Sequence, residues 1–259
     1  MTQLSEISIF PIKSLGRLQV TSSAVLPSGA LKGDREFAIV DETGRVVNAK
    51  RNANIHKIRS QYEWLNRSVT LSATGLTTET FHLDGDRAEI AAWLSEFFEF
   101  GVHLEQDEEM GFPDDSESPG PTVVSTQSLQ CVSSWFDGMT LEEIRSRFRT
   151  NLEVDAPEAF WEDQLFGTAD QLKIFTIGRV SFYGVNPCQR CIVPTRNSIS
   201  GEVTPGFQKA FLKNRTITLP ASVDRSRFNH FYRLAVNTRS NQGGIISLGD
   251  SVEMGTIIS

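Results

Sequence analysis

The sequence predicts a predominantly β protein with a few helices, an α+β chain in two β-rich parts. Three observations carry that expectation. Short runs rich in β-branched and aromatic residues recur through both halves, helical periodicity surfaces in only a few places, and an acidic stretch poor in apolar residues divides the chain. The 259 residues, 39% of them hydrophobic, suffice for one large core or two smaller ones.

Taken in order, "ISIF" near the N-terminus is apolar and β-branched. "REFAIVDETGRVVNAK" reads as two strands around a turn at Glu42, Thr43 and Gly44, and "SVTLSA" and "ETFHL" continue in that style. The period then changes. Ile90, Trp93, Leu94 and Phe97 fall on one helical face, with Asp86 placed to cap it and Glu89 three residues on. The stretch from Glu105 to Pro121, "EQDEEMGFPDDSESPGP", is too polar to bury a core. It is expected to be a mobile, solvated connector, and the domain boundary is drawn through it, giving domains 1–119 and 120–259.

Beyond the connector, Ser125 or Thr126 is placed to cap a helix running through Leu129 and Trp135. Thr140 and Glu143 form a capping-box pattern for another helix that ends near Arg147. "NLEV", "LKIFTIGRVSFYGV", "HFYRLAV" and "GGIISLGDSVEM" read as strands, so the second half is expected to be closed or barrel-like.

The net charge of −7 lacks the basic excess of a nucleic-acid binder, and against it a local cluster of Lys and Arg marks a site for a particular anion. No apolar run approaches the roughly 20 residues that cross a bilayer, and the N-terminus lacks a signal-peptide pattern. Three cysteines do not make a disulfide framework. A reduced, cytoplasmic protein without membrane or nucleic-acid partners is expected.

Two of those cysteines fall in "NPCQRCIVPTR", where Cys188 and Cys191 flank Gln189 and Arg190 between Pro187 and Pro194. A structural zinc site wants a second Cys or His pair, and Cys131, His56, His82, His103 and His230 offer none at close spacing. A redox dithiol belongs at the start of a helix, whereas Ile192, Val193 and Pro194 favour extended chain. Besides that redox pair, the open readings are one thiolate acting as nucleophile or metal ligand beside Arg190 and Arg196, and plain packing of small apolar side chains.

Several stretches together resemble the MOSC family, relatives of the C-terminal domain of molybdenum-cofactor sulfurase. "FPIKSL" and "LKGDREFAIVDETG" are similar to its N-terminal β-barrel domain, and "VVSTQSL", "RFRTNLEV", "FWEDQLFG", "NPCQRC" and "ISLGDSVEM" follow in the order of a MOSC β-barrel domain. The arrangement most resembles the mitochondrial amidoxime-reducing components and their bacterial counterparts. The resemblance implies a molybdenum cofactor, molybdenum held by a pterin dithiolene with a terminal phosphate, whose metal takes Cys191 as its protein ligand. It places Lys13, Ser14 and Arg35 on the phosphate and pterin side, and Ser125, Thr126, Arg149, Asn151, Gln189 and Arg190 along the rest.

The activity so implied is reductive removal of oxygen, as water, from N-hydroxylated compounds such as amidoximes, hydroxylamines and N-hydroxylated bases. No cysteine cluster for an iron–sulfur centre remains in this sequence, so electrons are expected from separate ferredoxin- or cytochrome-like proteins. After the cysteines, "IVPTRNSISGEV" departs from the Thr- and Asp-rich turn of the better-known reductases, which bears on substrate contacts. The alternative is a sulfur-carrier or cofactor-delivery protein that holds a persulfide on Cys191.

Overall fold

The computed structural model describes residues 2–258. The strands of the first half are β1 (Gln3–Ile9), β2 (Leu18–Val20), β3 (Ser22–Val25), β4 (Phe37–Asp41), β5 (Arg59–Glu63), β6 (Ser68–Ser72), β7 (Glu79–His82) and β8 (Val102–Gln106), with helix α1 (Arg87–Phe98) between the last two. The second half contributes β9 (Val123–Ser125), α2 (Thr126–Ser134), α3 (Leu141–Phe148), β10 (Leu152–Asp155), β11 (Leu172–Ile177), β12 (Val180–Gln189), α4 (Phe207–Ile217), β13 (Arg233–Arg239), β14 (Gly244–Ser247) and β15 (Val252–Ile258). The chain is thus predominantly β with a few helices.

The largest sheet runs β15-β11-β12-β13-β9-β10-β1-β2. It also returns on itself. Gln3 bridges Ser251, the Leu4 amide donates to Asp250, and the Val252 amide donates to Thr2, which joins the start of β1 to the start of β15. Barrel closure of the second half therefore uses a strand from the first, and β3 likewise pairs with β14. The sheet crosses the division drawn at residue 119. Inside this barrel Ile7, Val123, Val154, Phe175, Phe182 and Val236 are fully buried, each such side chain contributing about 1.5–3 kcal/mol through removal from water.

A second core sits between the short sheets β4-β8 and β5-β6-β7 and helix α1. Alternation explains it, since Val69 and Leu71 point inward from β6 while their neighbours do not. Ile90, Trp93 and Leu94 are the buried face of α1. Asp86 stands at the N-cap of α1 and its carbonyl accepts from the Ile90 amide at 2.9 Å, but its carboxylate makes no capping bond and accepts from the His82 amide at 2.7 Å instead. The stretch after Gly44 forms no strand: β4 pairs along its length with β8, and on its other edge the return is held only by the Val40–Val46 bridge.

The third core gathers α2, α3 and α4 with Tyr232 and Leu234. Ser125 caps α2, accepting from the Ser128 amide at 3.1 Å, and Thr140 caps α3, accepting from Glu143 at 3.1 Å. Helix α4 was not among the elements expected from sequence. Phe207, Ala210 and Phe211 carry its i, i+3, i+4 spacing, but only half of that face is apolar enough to read beforehand.

Candidate functional site

One cavity of about 870 Å³ lies where the two halves meet. Its wall holds nine Lys or Arg side chains (Lys13, Arg17, Arg35, Lys50, Arg59, Arg147, Arg149, Arg190 and Arg233) against three acidic ones (Asp34, Asp114 and Asp115). A chain with net charge −7 has concentrated its cations in one concave place, where low-dielectric walls strengthen their field. Cys188 and Cys191 line the same cavity.

The cysteine segment is positioned by the end of β12. Pro187 has no amide to give to β13, and the ladder shifts register between Pro187 and Gln189. Arg190 then fastens the exit. Its Nε and Nη2 donate to the Leu234 carbonyl at 3.0 and 2.7 Å, and Nη1 donates to Phe148 at 2.9 Å. Cys191 follows on the turn away from the sheet, partly buried against the second core. Val193–Thr195 form a single 3-10 turn instead of the expected extended chain, since Pro194 is tolerated in a first turn. Cys188 points to the opposite side, against the third core. Burial pushes its thiol pKa up, with Arg190 and Arg35 pulling the other way.

Lys13 and Ser14 sit on the turn after β1, tied to β4 by a 2.8 Å bond from the Lys13 amide to Phe37. Arg35 is held by its own amide bond to Phe10 at 2.8 Å and by an ion pair with Asp34. Burial opposes its charge, but Asp34 and Asp114 outweigh that and hold its pKa above the ordinary value. Arg149 closes α3 and lays its guanidinium over the Phe10 ring, 4.1 Å from the centroid. Its Nη1 donates to the Leu15 carbonyl at 2.6 Å, while Nη2 is buried without a partner. Burial, then the nearby Arg35, pushes its pKa down to about 10.

Ser14, Arg35 and Arg149 all have left-handed backbones, with φ of 73°, 51° and 52°. Such conformations cost side-chain-bearing residues on the order of 1 kcal/mol or more. Three of them converging on one cavity is strain gathered where side chains are aimed inward.

The remaining expected residues divide. Asn151 is buried, accepts from the Thr122 amide at 3.2 Å and donates to the Ser8 carbonyl at 3.1 Å, so it ties β9, β10 and β1 together at the cavity floor. Gln189 is exposed on the wall. Ser125 and Thr126 do not line the cavity. Ser125 is the fully buried cap of α2, and its amide donates to Glu162 at 3.2 Å; Thr126 lies 3.3 Å from both Ser5 and Glu153.

The structure adds residues that the sequence reading passed over. Lys50 lines the cavity with Asn48 and Ala49, and the basic pair at Lys50 and Arg51 was its only signal. His56 also lines it, its Nε2 buried without a partner, and burial with Arg149 and Arg196 pushes its pKa down to about 4. The acidic stretch is the largest correction. It is not a free connector: Lys13 Nζ donates to the Phe112 and Pro113 carbonyls at 2.7 and 3.2 Å and to Asp114 at 3.1 Å, and Ser118 is buried. Polarity reads as solvation in sequence, but here the polar groups bond to cavity cations.

Such a cavity fits a large, phosphate-bearing ligand that also needs a soft anchoring atom. Arg149 Nη2 is an unused donor, and Lys13, Lys50 and Arg35 form a cation cluster suited to phosphate. Cys191 places on the cavity wall a sulfur of the kind soft metals take as a ligand. Among the described residues, no three His, Cys, Asp or Glu side chains group closely enough to hold a metal by themselves.

The chain matches two family models, the MOSC N-terminal beta barrel domain over residues 1–100 and the MOSC domain over residues 122–253. It is 29% identical over 231 residues to molybdenum cofactor sulfurase 1 of Aedes aegypti, covering 73% of this chain and 29% of that protein. It is 26% identical over 235 residues to the molybdenum cofactor sulfurase of Danio rerio, covering 73% and 27%. The chain thus spans about three-tenths of the length of these relatives. Among solved structures, the YuaD protein of Bacillus subtilis aligns over 98% of this chain and 96% of its own, with 10% identity and a TM-score of 0.39. No helix among the described residues is long and apolar enough to cross a membrane.

Proposed function

We propose, starting from the fact that the chain belongs to the MOSC family, that this cavity binds the molybdenum cofactor and that Cys191 is the protein ligand of its metal. The observation that carries the proposal is the convergence of an excess of cations, one of them with the unused donor Arg149 Nη2, and a cysteine on one cavity in an acidic chain. Relatives that act on or with this cofactor support the same association.

Lys13, Lys50 and Arg35 would hold the terminal phosphate, and Arg149 Nη2 would meet a pterin or phosphate oxygen. Arg190 acts through the backbone: by bonding Leu234 and Phe148 it fixes the strand exit and so the direction of Cys191. When bound, the cofactor would supply two-electron removal of oxygen from an N-hydroxylated substrate. The chain's own residues would then bind and orient that substrate at the outer mouth, where His56, Ser198 and Ile199 face the cavity. Burial and the Arg149 and Arg196 charges push the His56 pKa down to about 4, which favours a neutral imidazole that would hydrogen-bond a neutral substrate. Electrons would come from separate carrier proteins.

A second reading has its own observation. The relatives are sulfurases by name, and two thiols, Cys188 and Cys191, line one cavity. A persulfide on Cys191 beside a bound pterin would make the chain a sulfur carrier or cofactor-delivery module. One experiment separates the two. Protein made in cells that build the cofactor is assayed for molybdenum, sulfane sulfur, and reduction of an amidoxime with an artificial electron donor. Stoichiometric molybdenum with turnover supports the reductase; stoichiometric sulfane sulfur without turnover supports the carrier.

A further inference from the structure

The acidic strap over the cavity does something the cofactor reading does not require. Asp114 accepts from Lys13 Nζ at 3.1 Å and from Lys50 Nζ at 3.3 Å. Arg35 is the next cation toward it, close enough that each shifts the other's charge equilibrium. Of the three cations best placed for a phosphate, the two lysines therefore already share a carboxylate from the chain itself, and Arg35 lies within its field while pairing with Asp34.

The strap holds that carboxylate in place by its backbone. Gly111 has φ +68°, and a Cβ there would stand 2.6 Å from the Asp34 carbonyl, so the chain passes flush over the Arg35 backbone. The Phe112 amide donates to the Arg35 carbonyl at 2.8 Å, and Gly120 at the far end donates to Thr238 at 3.1 Å. The Asp114 side chain, by contrast, is free to leave. Its side chain is 61% exposed on the wall of the cavity. Lys13 is 12% exposed and keeps its two backbone carbonyl bonds whether or not Asp114 stays.

We propose that Asp114 is a built-in counter-ion of the anion subsite, a carboxylate that a phosphate-bearing ligand displaces from Lys13 and Lys50 on entering. Without a ligand it neutralises a cluster of cations that would repel one another. With a ligand it swings into the cavity solvent while the strap stays fixed. Asp114 meets Lys13 and Lys50 through one carboxylate oxygen, and a dianion outcompetes one carboxylate for the same ammonium groups. The subsite thereby discriminates against singly charged anions. Burial pushes the Asp114 pKa up, but Lys13, Arg35 and Lys50 outweigh it and keep the group ionised.

The inference rests on the cofactor reading only for the identity of the physiological ligand, and its test uses inorganic phosphate. Calorimetric titration of phosphate into the full chain compares wild type with Asp114→Asn, Asp114→Glu and Asp115→Asn, each checked for an unchanged thermal unfolding transition. Asp114→Asn is expected to bind phosphate about tenfold more tightly, having lost its competitor. Asp114→Glu, which keeps the charge, is expected to stay within about threefold of wild type, as is Asp115→Asn, whose carboxylate touches Asn237 and no cation. Equal or weaker binding by Asp114→Asn overturns the proposal, and so does a failure of all four proteins to bind phosphate. Tighter phosphate binding in a protein that never acquires molybdenum would leave the counter-ion standing and remove the cofactor reading.

Discussion

Two arginines, Arg215 and Arg149, show what separates a structural cation from a binding one. Arg215 is 1% exposed, lies over the Phe160 ring at 4.1 Å and over Phe228 at 5.1 Å, and is paired with Asp163, which is equally buried. Arg149 lies over Phe10 at the same 4.1 Å, yet its only direct partner is the Leu15 carbonyl. The strongest charged influence on it is Arg35, a like charge. The ring stacking is shared, and the counter-ion is the difference. A buried cation with a carboxylate is a closed account of charge within the fold; a cation facing a cavity without one is completed by something that enters.

Removing a counter-ion should therefore hurt in one place and removing a cation should be tolerated in the other. Asp163→Ala strands Arg215 among aromatic rings and is expected to cost about 3–5 kcal/mol, read as a large fall in unfolding midpoint. Arg149→Met is expected to change stability by no more than about 1 kcal/mol, the loss of the Leu15 bond offset by relief of repulsion from Arg35. Its phosphate affinity, measured by calorimetry, should nevertheless fall about tenfold. Comparable destabilisation by both variants would dissolve the distinction.

Glu162, beside Asp163, sharpens the structural side. Burial, then the Asp163 charge, pushes its pKa up to about 7 from an ordinary 4.5. Between those values the folded protein keeps a proton that the unfolded chain releases. Its stabilising contribution is complete below about pH 4.5 and is lost as pH rises through about 7. Denaturant unfolding from pH 5 to 8 should show this decline in wild type and a flatter profile in Glu162→Gln. The smallest effect belongs to His56. Its imidazole resonances should not titrate above pH 5, and saturating phosphate should raise that pKa by partly neutralising Arg149. An ordinary His56 titration near 6.5 would mean that the cavity is far less positive than its lining implies.

Much of the fold was legible because period and capping are local properties. The α1 face at Ile90, Trp93 and Leu94, the caps at Ser125 and Thr140, and the strands around Gly178 all follow from near neighbours. What was not legible depends on distant partners. The partner that β4 takes along its length is β8, about 60 residues away in sequence, and the first-half strand β1 closes the barrel of the second half. For the site, the cation residues Lys13, Arg35, Arg149 and Arg190 and both cysteines of the motif meet in one cavity. Ser125 and Thr126 do not reach it, since one cap and one hydroxyl read alike whether they face a ligand or a neighbouring carboxylate. Asp114 was hidden because an acidic run carries no mark of the lysines that will hold it.

The central claim is that the cavity's cations hold the cofactor's anionic part while Cys191 holds its metal. X-ray absorption at the molybdenum edge, on wild type and Cys191→Ser loaded in cells that build the cofactor, tests both halves together. The account predicts pterin in both proteins and one sulfur fewer around molybdenum in Cys191→Ser. An unchanged sulfur count in Cys191→Ser would contradict it, because the metal would then take no ligand from that residue.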